Sequence, residues 1–251
     1  MAGPLPWKTA WVTGASTGIG REIALQLAAA GVKVAASARS ADKLQHLGQG
    51  VMAVPLDVTD GDACRRAVEN IESKLGPIDL AVLGAGTYRP VSLDELDPAE
   101  FSHMMTTNYM GVVNCVAGLA PRMAARGSGH LSWIASVAGY MGLPKAAAYG
   151  PSKAALISLA ESLYPEMKQR GIRVSVINPG FVETPLTAQN DFAMPFLMKP
   201  EEAARRSIDG LAAGRFEVAY PRRFVAILKA VRLLPYPMFF RLISRAVLKE
   251  R

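Results

Sequence analysis

Thr13-Gly14-Ala15-Ser16-Thr17-Gly18-Ile19-Gly20 is the stretch whose reading decides the fold. The run before it, Thr9–Thr13, is short, apolar and rich in β-formers. After it, Ile19, Ile23 and Leu27 recur at helical spacing until Gly31 ends the helix. A strand, a glycine turn and a helix in that order form a phosphate cradle. Glycines let the backbone turn tightly and approach a pyrophosphate, and the amides at the helix N-terminus receive its negative charge. Gly14, Ser16, Thr17, Gly18, Ile19 and Gly20 are therefore expected to bind a nucleotide cofactor. The glycine pattern is weak alone; its place between a strand and a helix makes it stronger.

Outward from this turn the alternation continues. Residues 32–38, 51–55, 78–83, 129–136 and 172–177 read as further strands. Helices are expected over 60–75, from the cap Asp97-Pro98-Ala99-Glu100 to about residue 126, and over 149–170. Alternating strands and helices imply a parallel sheet covered by helices on both faces. No internal repeat or linker interrupts residues 1–214.

The second strand ends in Ser37-Ala38-Arg39. An acid there would favour the ribose hydroxyls of NAD, whereas a guanidinium suits a phosphate, so Arg39 favours NADP(H) over NAD(H). A solvated loop arginine would read the same way. The strand over 78–83 ends in Gly84-Ala85-Gly86, small residues that let a ligand come close.

Tyr149-Gly150-Pro151-Ser152-Lys153 holds a tyrosine and a lysine four apart, hence on one helix face. A phenol titrates near pH 10, and a neighbouring ammonium would draw it toward neutrality. The pair is a plausible acid/base device, although an ordinary surface tyrosine and lysine would give the same letters.

Taken together, these residues resemble the short-chain dehydrogenase/reductase family over roughly residues 8–220. The motifs, in order, are the glycine turn, Asp57-Val58, Gly84-Ala85-Gly86, Asn108, Ser136, Tyr149-x-x-x-Lys153, Pro179-Gly180 and Thr184. The resemblance implies an α/β, single-domain Rossmann fold, a doubly wound parallel sheet, with its active site at the carboxyl edge. It implies that Tyr149 exchanges a proton with a substrate carbonyl or alcohol, and that Lys153 lowers the tyrosine pKa and holds the nicotinamide ribose. Ser136 would polarise the carbonyl, and Asn108 would anchor a water that links Lys153 to solvent. Asp57 and Val58 would hold the adenine, Ala85, Gly86, Pro179 and Gly180 would border the cofactor, and Val182 and Thr184 would hold the carboxamide. Two positions depart from the pattern. Gly84 stands where the family often has asparagine, which should loosen the central strand slightly. Pro165 falls inside the helix after Tyr149, where it should kink or end it; relatives commonly dimerise through that helix.

Substrate contacts are expected from Ser136, Met141, Tyr149 and Phe181, within segments that also hold Tyr140, Leu143, Leu186, Phe192, Phe196 and Leu197. They are apolar, so the expected substrate is a small hydrophobic ketone, aldehyde or secondary alcohol. A non-catalytic NADP(H)-binding regulatory or scaffold protein is the alternative, as is a lipid dehydrogenase recruited to membranes.

Composition bounds the rest. Half of the 251 residues are hydrophobic, enough for one large core. Cys64 and Cys115 lie far apart without CxxC spacing and the three histidines are scattered, so no disulfide framework or metal site is expected. No signal-peptide core and no run of about 18 apolar residues is seen, and the expected location is cytoplasmic. The net charge of +7 resides in the tail: residues 215–251 hold nine basic residues against Glu217 and Glu250, and residues 1–214 balance at nineteen of each. The basic balance is thus a statement about the tail and no evidence for a nucleic-acid enzyme, and no nucleic-acid partner is expected. Domain limits are set at 1–221 for the catalytic body and 222–251 for a basic helical extension, with amphipathic helices over 222–234 and 238–249. Phe224, Ile227, Leu228, Val231 and Leu234 would form one apolar face, and Phe239, Ile243 and Ala246 would oppose Arg241, Arg245 and Lys249. That extension would cover the enzyme's own body or touch a membrane peripherally. A homodimer or homotetramer is the expected assembly.

Overall fold

A computed structural model describes residues 4–48 and 50–247 of the chain. Seven parallel strands form one sheet in the order β3-β2-β1-β4-β5-β6-β7. They are β1 (Thr9–Thr13), β2 (Lys33–Ala38), β3 (Val51–Pro55), β4 (Leu80–Leu83), β5 (Gly129–Ile134), β6 (Ile172–Pro179) and β7 (Glu217–Tyr220). The strand order reverses between β1 and β4, so the crevice of a doubly wound sheet opens at their carboxyl ends. All of β1 and β4 is buried, as the apolar runs require when helices cover both faces.

On one face lie α3 (Gly61–Leu75), α5 (Gly111–Arg126) and α6 (Tyr149–Gln169); their Val68, Ile71, Leu119 and Leu156 pack under Trp11 and Trp133. On the other lie α1 (Gly18–Ala29), α2 (Ala41–Gln45) and α7 (Pro200–Ala212), which contribute Ile23, Leu27, Leu44 and Ile208. Each fully buried aliphatic side chain of this kind stabilises by about 1.5–3 kcal/mol. Between the faces in chain order comes α4 (Pro98–Met104), capped by Asp97, whose carboxylate accepts from the Ala99 amide at 2.9 Å.

The strand and helix readings hold, and the single Rossmann-like α/β domain with a helical extension is what the chain forms. The sequence reading did not include β7, α2 or α7. β7 is four residues long, and what makes it a strand is the open edge of β6, where Val176 pairs with Glu217 and Pro179 with Tyr220.

Helix α6 runs through Pro165 to Gln169, close to the expected span of 149–170, so the proline does not end it. The amide missing toward Glu161 is outweighed by packing on both sides of the proline, where Leu163, Tyr164 and Met167 rest on the core. The two cysteines, remote in sequence, meet where α3 packs on α5, with free, buried thiols whose Sγ atoms lie 3.8 Å apart. The end of β4 is tied by the Thr13 hydroxyl, which accepts from the amides of Gly84 and Ala85 at 3.1 and 3.2 Å. A Cβ at Gly84 would stand 2.7 Å from Ile134 Cδ1, so a side chain there requires the Ile134 side chain to shift.

The extension forms α8 (Arg222–Arg232) and α9 (Tyr236–Val247). Pro237 sits in the first turn of α9, where its missing amide costs nothing. Val225, Leu228, Phe239 and Ile243 pack on Val137 and Met141 of the body. Val225 takes the inward place expected of Ile227, which is 51% exposed. The end of the second predicted helix, with Lys249, and the side chain of Ala246 lie outside the described residues. No described helix is long and apolar enough to cross a membrane.

Candidate active site

One cleft gathers the turn after β1, the ends of β4 and β5, the start of α6 and the segment after β6. Of the expected residues, Gly14, Ser16, Thr17, Gly18, Ile19, Gly20 and Gly86 line it, as do Ser136, Tyr149, Lys153, Pro179, Gly180, Val182 and Thr184.

The glycine turn is built for backbone approach. Gly14 has φ +70°, and a Cβ there would stand 2.4 Å from the Gly84 carbonyl oxygen. A Cβ on Gly20 would stand 2.5 Å from the Gly14 carbonyl oxygen, so turn and helix can close only without side chains. Helix α1 begins here with no acidic residue in its first turn, which leaves its positive end unneutralised.

Tyr149 opens α6, with Lys153 one turn on. The Lys153 side chain is buried, and its Nζ donates to the Ile134 carbonyl oxygen at 2.9 Å. Burial pulls its pKa down to about 8. Burial pushes the Tyr149 phenol up to about 12, opposed by the Ser136 hydroxyl beside it. In the protein alone desolvation dominates the phenol, and the opposing pull comes from Ser136 rather than from Lys153 as expected. Ser136 ends the β5 segment; its Oγ accepts from the Ala138 amide at 3.1 Å and faces the Pro179 carbonyl oxygen at 3.5 Å.

Asn108 is fully buried inside a π-helical turn over Met105–Met110. Its Oδ1 accepts from the Thr87 amide at 2.7 Å; its Nδ2 donates to the Thr87 carbonyl oxygen and the Ser152 hydroxyl, both at 3.0 Å. The carboxamide is therefore held by protein partners on both its oxygen and its nitrogen. Gly86 sits tightly here: its Cβ would meet Asn108 Oδ1 at 3.1 Å and touch Lys153 Nζ at 3.6 Å.

Arg39, Asp57, Val58 and Ala85 do not line this cleft. Arg39 and Asp57 are exposed at the ends of β2 and β3, on the far side of the glycine turn. The Thr59 amide and hydroxyl hold the Asp57 carboxyl below its ordinary range, helped by the charges of Arg39 and His103. Val58 is buried beneath Gly111.

Two substrate expectations change. Met141 is buried in the cluster under α8 and α9, away from the cleft. Phe181 packs on Phe192 and on Phe224 of α8, with ring centres 6.0 and 5.7 Å apart. Sequence reasoning missed Tyr88, which meets the Tyr149 ring edge-on at 4.9 Å and donates to Asn190 Oδ1 at 2.7 Å. It also missed Thr87 and Thr187, which line the cleft; the first directly follows the Gly84–Gly86 stretch, the one available signal. Tyr140 donates to Glu217 at 2.6 Å, and Asn178 and Lys229 bind the same carboxylate, a link from the Ser136 segment through β7 to α8.

The family model for short chain dehydrogenases matches residues 8–193. An uncharacterized oxidoreductase of Myxococcus xanthus is 37% identical over 94% of this chain and 96% of its own length. A 3-oxoacyl-[acyl-carrier-protein] reductase of Staphylococcus epidermidis is 36% identical, covering 72% of this chain and 77% of its own. The crystal structure of a short chain dehydrogenase from Burkholderia cenocepacia in complex with NADP superposes with a TM-score of 0.84 at 26% identity, over 94% of this chain and 98% of that one. With a seven-stranded parallel sheet, a glycine turn and the Tyr149–Lys153 helix start facing one cleft, this chain belongs to the short chain dehydrogenase family of oxidoreductases.

Proposed function

We propose that this protein interconverts a hydrophobic carbonyl compound and its secondary alcohol with NADP(H), and that Tyr149 is its acid/base. The observation that carries the reading is the convergence of Ser136, Tyr149 and Lys153 on the cleft that the glycine turn also lines. The cradle fits a dinucleotide: Gly14 and Gly20 let the turn close tightly against β4 and α1, and the uncompensated start of α1 favours a pyrophosphate.

When bound, the nicotinamide supplies or accepts the hydride. In reduction the Tyr149 hydroxyl donates its proton to the carbonyl oxygen, and Ser136 Oγ donates a hydrogen bond to the same atom. A positioned general acid contributes about 10²–10⁴-fold, and a single polarising donor about 10²–10³-fold. The raised phenol pKa keeps Tyr149 protonated near neutrality, as reduction requires. Lys153 places a cation 5.5 Å from the ring centre and would favour the phenolate left after proton transfer. Asn108, fixed by Thr87 and Ser152, would help hold a water through which the replacement proton reaches Lys153 from solvent.

Arg39, exposed at the end of a strand that lacks an acid, supports NADP(H) over NAD(H), as does the NADP carried by the Burkholderia relative. The apolar rim residues Val182 and Leu186 support an apolar substrate. The test is spectrophotometric: NADPH oxidation across aldehydes, ketones and longer acyl carbonyls. Turnover of at least one apolar carbonyl, faster with NADPH than with NADH, is expected; no oxidation with any of them overturns the proposal.

A further inference from the structure

We propose that α8 and α9 dock this protein on a lipid surface bearing anionic headgroups. Half of the large apolar side chains that remain exposed among the described residues lie on this one element: Ile227, Leu233, Tyr236, Met238, Phe240 and Leu242. Leu233 is 86% exposed, and Met238 and Phe240 are each 57% exposed.

The exposure belongs to a seated element. Val225, Leu228, Phe239 and Ile243 fix the inner faces of both helices on Val137 and Met141, and Lys229 pairs with Glu217. The apolar outer side chains are therefore the remainder after the extension has packed on its own body. On α9, Met238 and Leu242 are one turn apart, and the one-turn pair Arg241 and Arg245 runs beside them. A helix that presents leucine, methionine and aromatic side chains beside arginines suits the boundary between headgroups and acyl chains.

Charge decides among occupants. Residues 222–247 contain six basic residues and no acidic one. A second copy meeting this face about a two-fold axis would set one basic surface against another, and like charges across an interface oppose association. An anionic lipid surface complements the same charge, and each basic residue near it contributes favourably. The apolar surface also runs on toward the cleft: Phe224 of α8 packs on Phe181 and Phe196, and Phe196, Leu197 and cleft-lining Leu186 stay exposed. Docking stands apart from the reductase reading; only delivery of a lipophilic substrate from that surface would rest on it.

The test is co-sedimentation of the full chain with vesicles of phosphatidylcholine and phosphatidylglycerol in equal parts, against phosphatidylcholine alone. Pelleting with the mixed vesicles only is expected, fading at about 1 M salt, where the screening length is about 3 Å. Phe240→Ser combined with Arg241→Glu should weaken binding at least about tenfold. Met238→Ser with Leu242→Ser is the second variant, and thermal melts confirm that both fold. NADPH turnover of a water-soluble carbonyl, read separately, should be unchanged in both. No pelleting, or equal pelleting with neutral vesicles, overturns the proposal. Self-association abolished by Phe240→Ser, without lipid binding, also overturns it and assigns the face to a second copy. Binding only to an acidic protein overturns it in favour of a protein partner.

Discussion

Lys153 Nζ lies 5.5 Å from the centre of the Tyr149 ring while donating to the Ile134 carbonyl oxygen at 2.9 Å. In the protein alone the lysine is thus anchored to the end of β5, and burial sets both titrations: the phenol rises to about 12 and the ammonium falls to about 8.

A pH dependence follows from those directions. If the charge on Lys153 assists catalysis, kcat/KM for NADPH, which reports the free enzyme, should fall as pH rises through about 8. Lys153→Met should be far slower and lose that inflection. Stability moves the other way: a lysine lowered to about 8 in the fold binds fewer protons than in the unfolded chain, so its contribution is regained as pH rises above about 8 and is lost as pH falls through it. Urea titrations of parent and Lys153→Met should therefore show the variant's relative advantage shrinking between pH 8 and the ordinary lysine range.

Arg39→Ser should raise KM for NADPH about tenfold or more and leave KM for NADH nearly unchanged, since charge-assisted hydrogen bonds to a phosphate are the strong ones. Equal effects on both cofactors, measured by initial rates, would remove Arg39 from the phosphate.

Gly14→Ala places a Cβ against the Gly84 carbonyl oxygen and forces alanine to φ +70°. A loss of about 1–3 kcal/mol is expected in chemical denaturation, with nucleotide affinity reduced as the turn shifts. Gly142→Ala, with open space at its Cβ position, is the matched control and should be near neutral.

Glu217 joins Tyr140, Asn178 and Lys229. Burial pushes its carboxyl up, yet these three partners hold it below its ordinary range. Glu217→Gln should cost about 1–3 kcal/mol at neutral pH. Because the contribution of a lowered carboxyl is present above its unfolded pKa and lost as pH falls through its folded one, the gap to the parent should close in acid.

Much of this was legible in the sequence because periodicity and glycine placement act locally. The turn after β1 and the start of α6 follow from near neighbours, and both line one cleft. What stayed hidden depends on contacts between distant residues. Glu217 reads as a loop acid until β7 pairs with β6. Met141 reads as a pocket residue until α8 and α9 cover it. Cys64 and Cys115 read as unrelated until α3 packs on α5. Pro165 reads as a kink or a stop because a local rule cannot weigh the packing of Leu163 and Met167 around it. The phenol pKa was misjudged for the same reason: a helical spacing shows the ammonium but not the desolvation.

The most direct test of the account is Tyr149→Phe, assayed for NADPH turnover and, by fluorescence titration, for NADPH binding. Turnover should drop about 10²–10⁴-fold or below detection, with affinity within about threefold of the parent. Turnover equal to the parent's with binding intact would contradict it.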